Sequence, residues 1–425
     1  MNLRFDDSSI TVVIVGCGGF IGSHLLDAVL ERTRWRVFGV DLDFYRLQHR
    51  LNHERCEFLC ADLADPAVVE RIAQFPLVVN LAAICTPSRY MGEACEVIRS
   101  NYDHPAALAE ACAKSGSWLV HFSTSEIYGR TAPDSDELIE DDTPVVLGPV
   151  AASRWSYATA KLLAERFIAG LPGLRWTVVR PFNFVGPYMD FMPGVDGEGI
   201  PRVLANFSTA LLRGEPLKLV NGGKAKRCFT SVHDAIDFLF ALFDAGLGCA
   251  LSFGVGDSPD AGCKTAAGAG HSGRDAVGVS KVGAAPNASE LKVGAAGASM
   301  VGAAPGAGEL MVGAAPNAGV FSQAFNVGNA GNEVSITELA QKMRVIFAKV
   351  RGVDVSSLPE PQSVSGEEYY GAGYDDSMRR MPSVAKAERL LGFRARIPLD
   401  TALEESLSWF VKHYDVAETC HCEEP

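Results

Sequence analysis

Tyr157 and Lys161 stand four residues apart in a stretch whose apolar residues recur at three- and four-residue spacing. On a helix from Tyr157 to Ala169 they share one face, one turn apart. A free phenol titrates at roughly 10, too high for a base at neutral pH, and a neighbouring cation favours its ionised form. A tyrosine so placed can take the proton of a hydroxyl while the carbon that bears it is oxidised. Tyr-x-x-x-Lys is common by chance, but here it follows Ser123-Thr124-Ser125-Glu126 at the end of the apolar run Trp118 to Phe122. A strand ending there delivers Ser and Thr hydroxyls to the same oxygen as the phenol.

Oxidation needs an acceptor, and the first apolar run supplies its site. Gly16-Cys17-Gly18-Gly19-Phe20-Ile21-Gly22 follows Ile10 to Val15 and opens a helical pattern. Glycines at 16, 19 and 22 let the backbone turn tightly and approach a pyrophosphate at the helix N-terminus. Asp41 ends the second strand, where a carboxylate accepts hydrogen bonds from both adenosine ribose hydroxyls and repels a 2′-phosphate, so NAD is expected over NADP. Asp62-Leu63, after the third strand, has the spacing to meet the adenine.

The elements that carry these residues alternate. Apolar runs at Ile10 to Val15, Val37 to Val40, Leu77 to Leu81, Trp118 to Phe122 and Trp176 to Val179 are separated by helical patterns such as Gly22 to Arg32 and Val97 to Lys114. That rhythm predicts an α/β fold, a Rossmann-type doubly wound parallel sheet. From Pro181 the pattern is less regular, with helical stretches near Val203 to Arg213, His233 to Phe243 and Thr337 to Lys349. We expect a cofactor domain over 1–180 and a smaller substrate lobe over 181–256 and 320–425.

Between them, 257–319 repeats Val-Gly-Ala-Ala-Pro at Val282, Val301 and Val312, has no aromatic residue and too few large apolar residues to offset ordering entropy, so a disordered insertion is expected. Phe253-Gly254-Val255-Gly256-Asp257 before it and Phe325-Asn326-Val327-Gly328-Asn329 after it look like two copies of one strand end. Only the second runs on into an ordered pattern, so it is expected in the sheet.

A formal charge of −13 argues against nucleic acid and anionic membrane as partners. An anionic substrate must then be held by local arginines. The start resembles no leader, no stretch is apolar enough to span a bilayer, and the eleven cysteines have no regular spacing, so a soluble cytoplasmic protein with reduced thiols is expected. Cys420, His421 and Cys422 lack a second ligand pair, and no metal is expected.

Longer strings carry a resemblance: Asn80-Leu81-Ala82-Ala83-Ile84-Cys85-Thr86-Pro87, Arg154-Trp155-Ser156-Tyr157, Arg180-Pro181-Phe182-Asn183, Met189 to Gly197, and Tyr369-Tyr370-Gly371-Ala372-Gly373-Tyr374-Asp375-Asp376. With them the chain resembles the extended short-chain dehydrogenase/reductases. Within that family it is most similar to UDP-apiose/UDP-xylose synthase and next to the UDP-glucuronate decarboxylase of the aminoarabinose pathway for lipid A.

The resemblance implies a homodimeric NAD enzyme that oxidises C4 of UDP-glucuronate and decarboxylates it. Glu126, Tyr157 and Lys161 act in oxidation and proton transfer, with Thr124 and Ser125 beside them and Arg380 at the departing carboxylate. Phe20, Ile21 and Ala82 join the cofactor site. Tyr90 and Arg154 hold the sugar; Asn183, Arg202, Lys218 and Arg227 belong with the UDP; Tyr374 lies near the pocket. Cys85 matches a cysteine of the apiose group and is suited to proton shuttling. Ser125 departs from the Thr-Cys-Glu of the land-plant enzymes, which leaves decarboxylation without ring contraction as the alternative. A catalytically idle NAD-sensing scaffold is disfavoured by Glu126, Tyr157, Lys161 and Arg380 occurring together.

Overall fold

The computed structural model describes residues 5–132, 135–250, 319–371 and 374–420. Seven strands form one parallel sheet: β1 (Thr11–Val15), β2 (Arg36–Asp41), β3 (Cys56–Cys60), β4 (Leu77–Asn80), β5 (Trp118–Phe122), β6 (Arg175–Pro181) and β7 (Gln323–Val327). Their order is β7-β6-β5-β4-β1-β2-β3. The winding therefore reverses between β1 and β4, and a crevice opens at the carboxyl ends of those strands, where open sheets of this kind bind ligands.

Helices cover both faces, and so the inner strands are apolar throughout: Val12, Val13 and Ile14 of β1 and Leu119 and Val120 of β5 are fully buried. Burying each such side chain is worth about 1.5–3 kcal/mol. α1 (Phe20–Arg32) begins directly after the glycine loop and buries Leu25, Leu26 and Val29. α2 (His104–Ser115) ends on Gly116 at φ +77°, and α3 (Ser156–Gly170) carries Tyr157 and Lys161. α4 (Val203–Leu212), α5 (Val232–Ala250), α6 (Ile336–Arg351) and α7 (Leu399–Cys420) are the long helices described in the second half. A full capping box starts α6, with Ser335 and Glu338 satisfying each other's backbone N–H groups.

β7 lies beside β6 with Phe325 opposite Val179. The second copy of the duplicated strand end thus holds the sheet position. The first copy, 253–257, and the repeat up to residue 318 lie outside the described residues.

Short strands build the substrate side. Lys226–Cys228 pairs with Glu333–Ser335 on one edge and with Arg379–Arg380 on the other, and in the latter pair Arg380 stands opposite Arg227. Two arginines 153 positions apart in the chain thereby become neighbours, at a distance that backbone pairing fixes. Lys218–Val220 pairs with Gln362–Val364. Among the described residues no helix is long and apolar enough to cross a membrane.

Candidate active site

All nine residues assigned to the cofactor line one groove of about 550 Å³: Gly16, Gly19, Phe20, Ile21, Gly22, Asp41, Asp62, Leu63 and Ala82. Gly16 has φ +82°, and a Cβ there would lie 2.8 Å from the Ala82 nitrogen. A Cβ at Gly22 would lie 2.1 Å from the Gly16 carbonyl oxygen. Only glycine lets the loop close on the strand ends and on the start of α1. Asp41 accepts from the Gly18 N–H and the Leu42 N–H, each at 2.7 Å. Burial raises its pKa, and those two backbone donors oppose the rise. Arg46 also faces the groove and donates to the Asp190 carbonyl at 2.8 Å; its sequence surroundings give no hint of this.

The groove leads to a smaller cavity of about 240 Å³. Every residue assigned to catalysis lines it, namely Cys85, Thr124, Ser125, Glu126, Tyr157, Lys161 and Arg380, and so do Tyr90, Arg154, Asn183, Arg202 and Tyr374. The Tyr157 ring stacks on Tyr90 at 4.9 Å and 7° between planes. Burial pushes the Tyr157 phenol well above its ordinary pKa, with Cys85 and Glu126 adding to the rise, while a hydrogen bond with Thr124 and the charge of Arg202 pull it back.

Lys161 lines the same cavity as Tyr157. Its ammonium donates to the Phe122 carbonyl at 2.8 Å, and burial lowers its pKa to about 8. The groups that ease ionisation of the phenol are Thr124 and Arg202. Helical spacing places Tyr157 and Lys161 on one face and leaves open that the amine turns to a strand carbonyl.

Charged side chains make up the far wall. Arg154 Nη1 donates to Glu126 at 2.6 Å, and Arg380 Nη1 lies 3.4 Å from the other Glu126 oxygen. Burial would raise the Glu126 pKa, but the two arginines outweigh it and the carboxyl is held below its usual range. Asp376 is treated alike: burial opposes ionisation, and Arg227, Arg380 and Arg154 together hold it far below the carboxylate range. Both groups are anions at neutral pH. Two buried polar atoms on this cavity, Ser123 Oγ and Arg380 Nε, have no partner among the described residues.

The UDP set is divided by the structure. Lys218 and Arg227 line a neighbouring cavity of about 340 Å³, together with Tyr374 and Asp376. Lys218 is half-buried and donates to Gln362 at 3.1 Å. Asn183, at φ +42°, donates to the Cys228 carbonyl at 2.9 Å and faces the reaction cavity. Arg202 is bound in a fork by Asp190, with Nε 2.9 Å from one carboxylate oxygen and 3.0 Å from the other, and borders both the groove and the reaction cavity. Cys85 borders the same two spaces.

Residues 12–248 match the model of the NAD dependent epimerase/dehydratase family. The chain belongs to that family. This epimerase/dehydratase family member uses NAD, and the glycine cradle and the Asp41 carboxylate fit it. The chain is 34% identical over 434 residues to a UDP-D-apiose/UDP-D-xylose synthase of Oryza sativa subsp. japonica, covering 96% of this chain and 91% of that protein. It is 33% identical to UDP-D-apiose/UDP-D-xylose synthase 1 of Arabidopsis thaliana, covering 95% and 92%. Among solved structures it is similar to the PbgP3 protein of Burkholderia pseudomallei, with TM-score 0.70, 26% identity and coverage of 96% and 98%. The fold is also that of a UDP-glucuronic acid 4-epimerase of Bacillus cereus, with TM-score 0.62, 18% identity and coverage of 95% and 99%.

Asp376, on the reaction cavity, and Asp190, on the groove, are lining residues that motif spacing missed, as it missed Arg46. Each aspartate pairs with an arginine on the cavity wall, and neither stands in a local pattern that marks it. Asp376 does precede Arg380 by four residues, within a string already notable for its similarity to relatives.

Proposed function

We propose that this enzyme oxidises C4 of UDP-glucuronate and decarboxylates it, giving UDP-apiose, UDP-xylose or both. The observation that carries this reading is the joint presence, on one cavity, of the Tyr157–Thr124 pair and the buried arginines Arg154 and Arg380. The first suits a hydroxyl that is to be oxidised. The second suits a carboxylate, because a guanidinium's planar donor fork matches two carboxylate oxygens. The activity named for the rice and Arabidopsis relatives agrees with both.

Tyr157 takes the proton of the C4 hydroxyl, with Thr124 hydrogen-bonded to the same phenol. Bound NAD supplies the hydride chemistry at C4 and a positive charge that favours the phenolate. A ketone at C4 is β to the C6 carboxylate, so the C5–C6 electron pair passes into the carbonyl as carbon dioxide leaves, and Tyr157 and Thr124 are placed to hydrogen-bond the oxygen that gains charge. Arg380 orients the departing carboxylate. Glu126, ionised and held by two arginines, is an acceptor and not a donor at neutral pH. One proton is taken up at C5, and restoring hydride to C4 gives UDP-xylose with no net oxidant consumed.

Ring contraction to UDP-apiose adds retro-aldol cleavage between C2 and C3, recombination and reduction. Cys85 borders both the groove and the reaction cavity and is our candidate for the extra proton transfer. Ser125, a poor base, supports a second reading in which only UDP-xylose or a 4-keto-pentose is made. We take the active form to be a cytoplasmic homodimer, which sedimentation of the purified protein checks. Incubation with NAD and UDP-glucuronate, followed by NMR of the products, tests the function. A UDP-pentose is expected; unaltered UDP-glucuronate contradicts it. Cys85→Ala should then lower UDP-apiose relative to UDP-xylose.

A further inference from the structure

The reaction cavity and the cavity of Lys218 and Arg227 meet at one side chain, because Asp376 lines both. One of its oxygens accepts from Arg380 Nη2 at 2.6 Å and lies 3.5 Å from Arg154 Nη2. The other accepts from Arg227 Nη2 at 2.7 Å and from the Tyr374 hydroxyl at 3.3 Å. The Asp376 side chain keeps 25% of its exposure, whereas those of the three arginines keep 5 to 7%. Three sunken cations thus converge on one accessible anion.

The donors of Arg380 are unevenly used. Nη2 is taken by Asp376, Nη1 lies 3.4 Å from Glu126, and Nε is buried without a partner among the described residues. Strand pairing sets the backbone of Arg380 beside that of Arg227, so both guanidinium groups reach the same carboxylate. An anion that enters the cavity therefore finds the best donor of Arg380 already bonded, and must displace Asp376 to reach it.

We propose that Asp376 is a positioning residue that competes with the substrate's carboxylate for Arg380 and takes this arginine back once that carboxylate has left as carbon dioxide. The inference rests on the uronate reading given under Proposed function. A pentose product carries no group able to hold Arg380 against Asp376, so product is released and the arginine returns to its resting partner. Specificity is a difference of affinities, and an internal competitor acts on the uronate and not on the pentose. The cluster holds two carboxylates, Glu126 and Asp376, against Arg154, Arg227 and Arg380, so removing the Asp376 charge leaves the wall more strongly cationic.

The test is isothermal titration of the full chain with NAD present, using UDP-glucuronate and UDP-xylose as ligands, with and without Asp376→Asn, in a Tyr157→Phe background so that UDP-glucuronate is bound and not turned over; kcat is read on the same Asp376 variant with Tyr157 intact. In the variant the preference for UDP-glucuronate over UDP-xylose should rise about tenfold, the scale of one hydrogen bond to a charged group, while kcat falls because the arginines lose their common anchor. Tyr374→Phe removes one donor from Asp376 and should shift the preference the same way by about two- to threefold, which keeps the inference open to refutation where Asp376→Asn folds poorly. Asp376→Glu restores the charge and should return the preference toward wild type. If neither Asp376→Asn nor Tyr374→Phe changes the preference, or if both ligands weaken equally, Asp376 only shapes the wall and this inference falls alone. A wild type that binds neither nucleotide sugar overturns the uronate reading and the inference with it.

Discussion

The cofactor groove and the reaction cavity adjoin, yet they are made from opposite materials. The groove is backbone: Gly16 and Gly22 matter because nothing projects from them, and Asp41 spends two acceptor sites on the loop's own N–H groups. The cavity is side chain, with Glu126 and Asp376 balanced against Arg154, Arg227 and Arg380. A groove of this kind holds its ligand by shape and turns on close approach. A wall of paired charges holds its ligand by exchange of partners and turns on protonation. The two should therefore fail in different ways.

Loss of the base should separate them most sharply. Tyr157 lies outside the groove, so Tyr157→Phe should reduce carbon dioxide release by at least the 10² to 10⁴ typical of a positioned proton transfer, with NAD affinity unchanged by titration. Loss of NAD binding in that variant would join the two regions that the geometry keeps apart.

Arg380→Met comes next. Removing one partner of a buried pair costs about 3–5 kcal/mol, and the lower end is expected because Arg154 still meets Glu126 and Arg227 still meets Asp376. Carboxyls held below their usual range lend stability that is present above that range and lost as pH falls through their folded values. Without Arg380 those values rise, so acid unfolding should begin at higher pH than in wild type. Thermal melts over an acid series read this shift; an unmoved acid limb would mean that the cluster is not coupled as drawn.

Gly22→Ala attacks the groove. The added carbon would sit 2.1 Å from the Gly16 carbonyl, and overpacking of this sort costs about 1–3 kcal/mol. NAD affinity should fall with it, while UDP binding in the cavity should change little. Equal losses of both would contradict a division between backbone and side-chain sites.

The smallest effect lies outside both regions. His233 and Glu405 hydrogen-bond at 2.7 Å, with each side chain 41% exposed. The bond to Glu405 raises the His233 pKa, so its contribution is present below the ordinary imidazole range and lost as pH rises through the folded value. Exposure limits it to roughly 0.2–1 kcal/mol. His233→Gln should melt slightly below wild type at mildly acidic pH and level with it at alkaline pH.

The groove was legible because its determinants are local: seven consecutive residues after a strand, then a carboxylate at the end of the next. Tyr157 and the strand end before it were legible for the same reason. Of the charged wall, Glu126, Arg154, Arg227 and Arg380 were reached only through the resemblance and Asp376 was not reached at all, since it meets Arg227 across 149 positions and no periodicity links them. Lys161 shows the limit of spacing, which places a side chain on a face and says nothing of the Phe122 carbonyl that receives it. Arg202 belongs to the UDP contacts by resemblance alone; its pairing with Asp190, twelve positions away, is what the structure adds. The helix Leu399–Cys420 carried a readable signal, with Leu399, Ala402, Leu403, Leu407, Phe410 and Tyr414 buried at helical spacing.

The central claim is that one cavity both oxidises the sugar and expels its carboxylate while the cofactor is returned to its starting state. UDP-glucuronate labelled with ¹³C at C6 tests it most directly, with labelled carbon dioxide and NADH followed together over many turnovers. The account predicts one labelled carbon dioxide for each nucleotide sugar consumed and no matching accumulation of NADH. Label that stays in the nucleotide sugar, as an epimerase would leave it, would contradict the account, and so would NADH that rises in step with carbon dioxide.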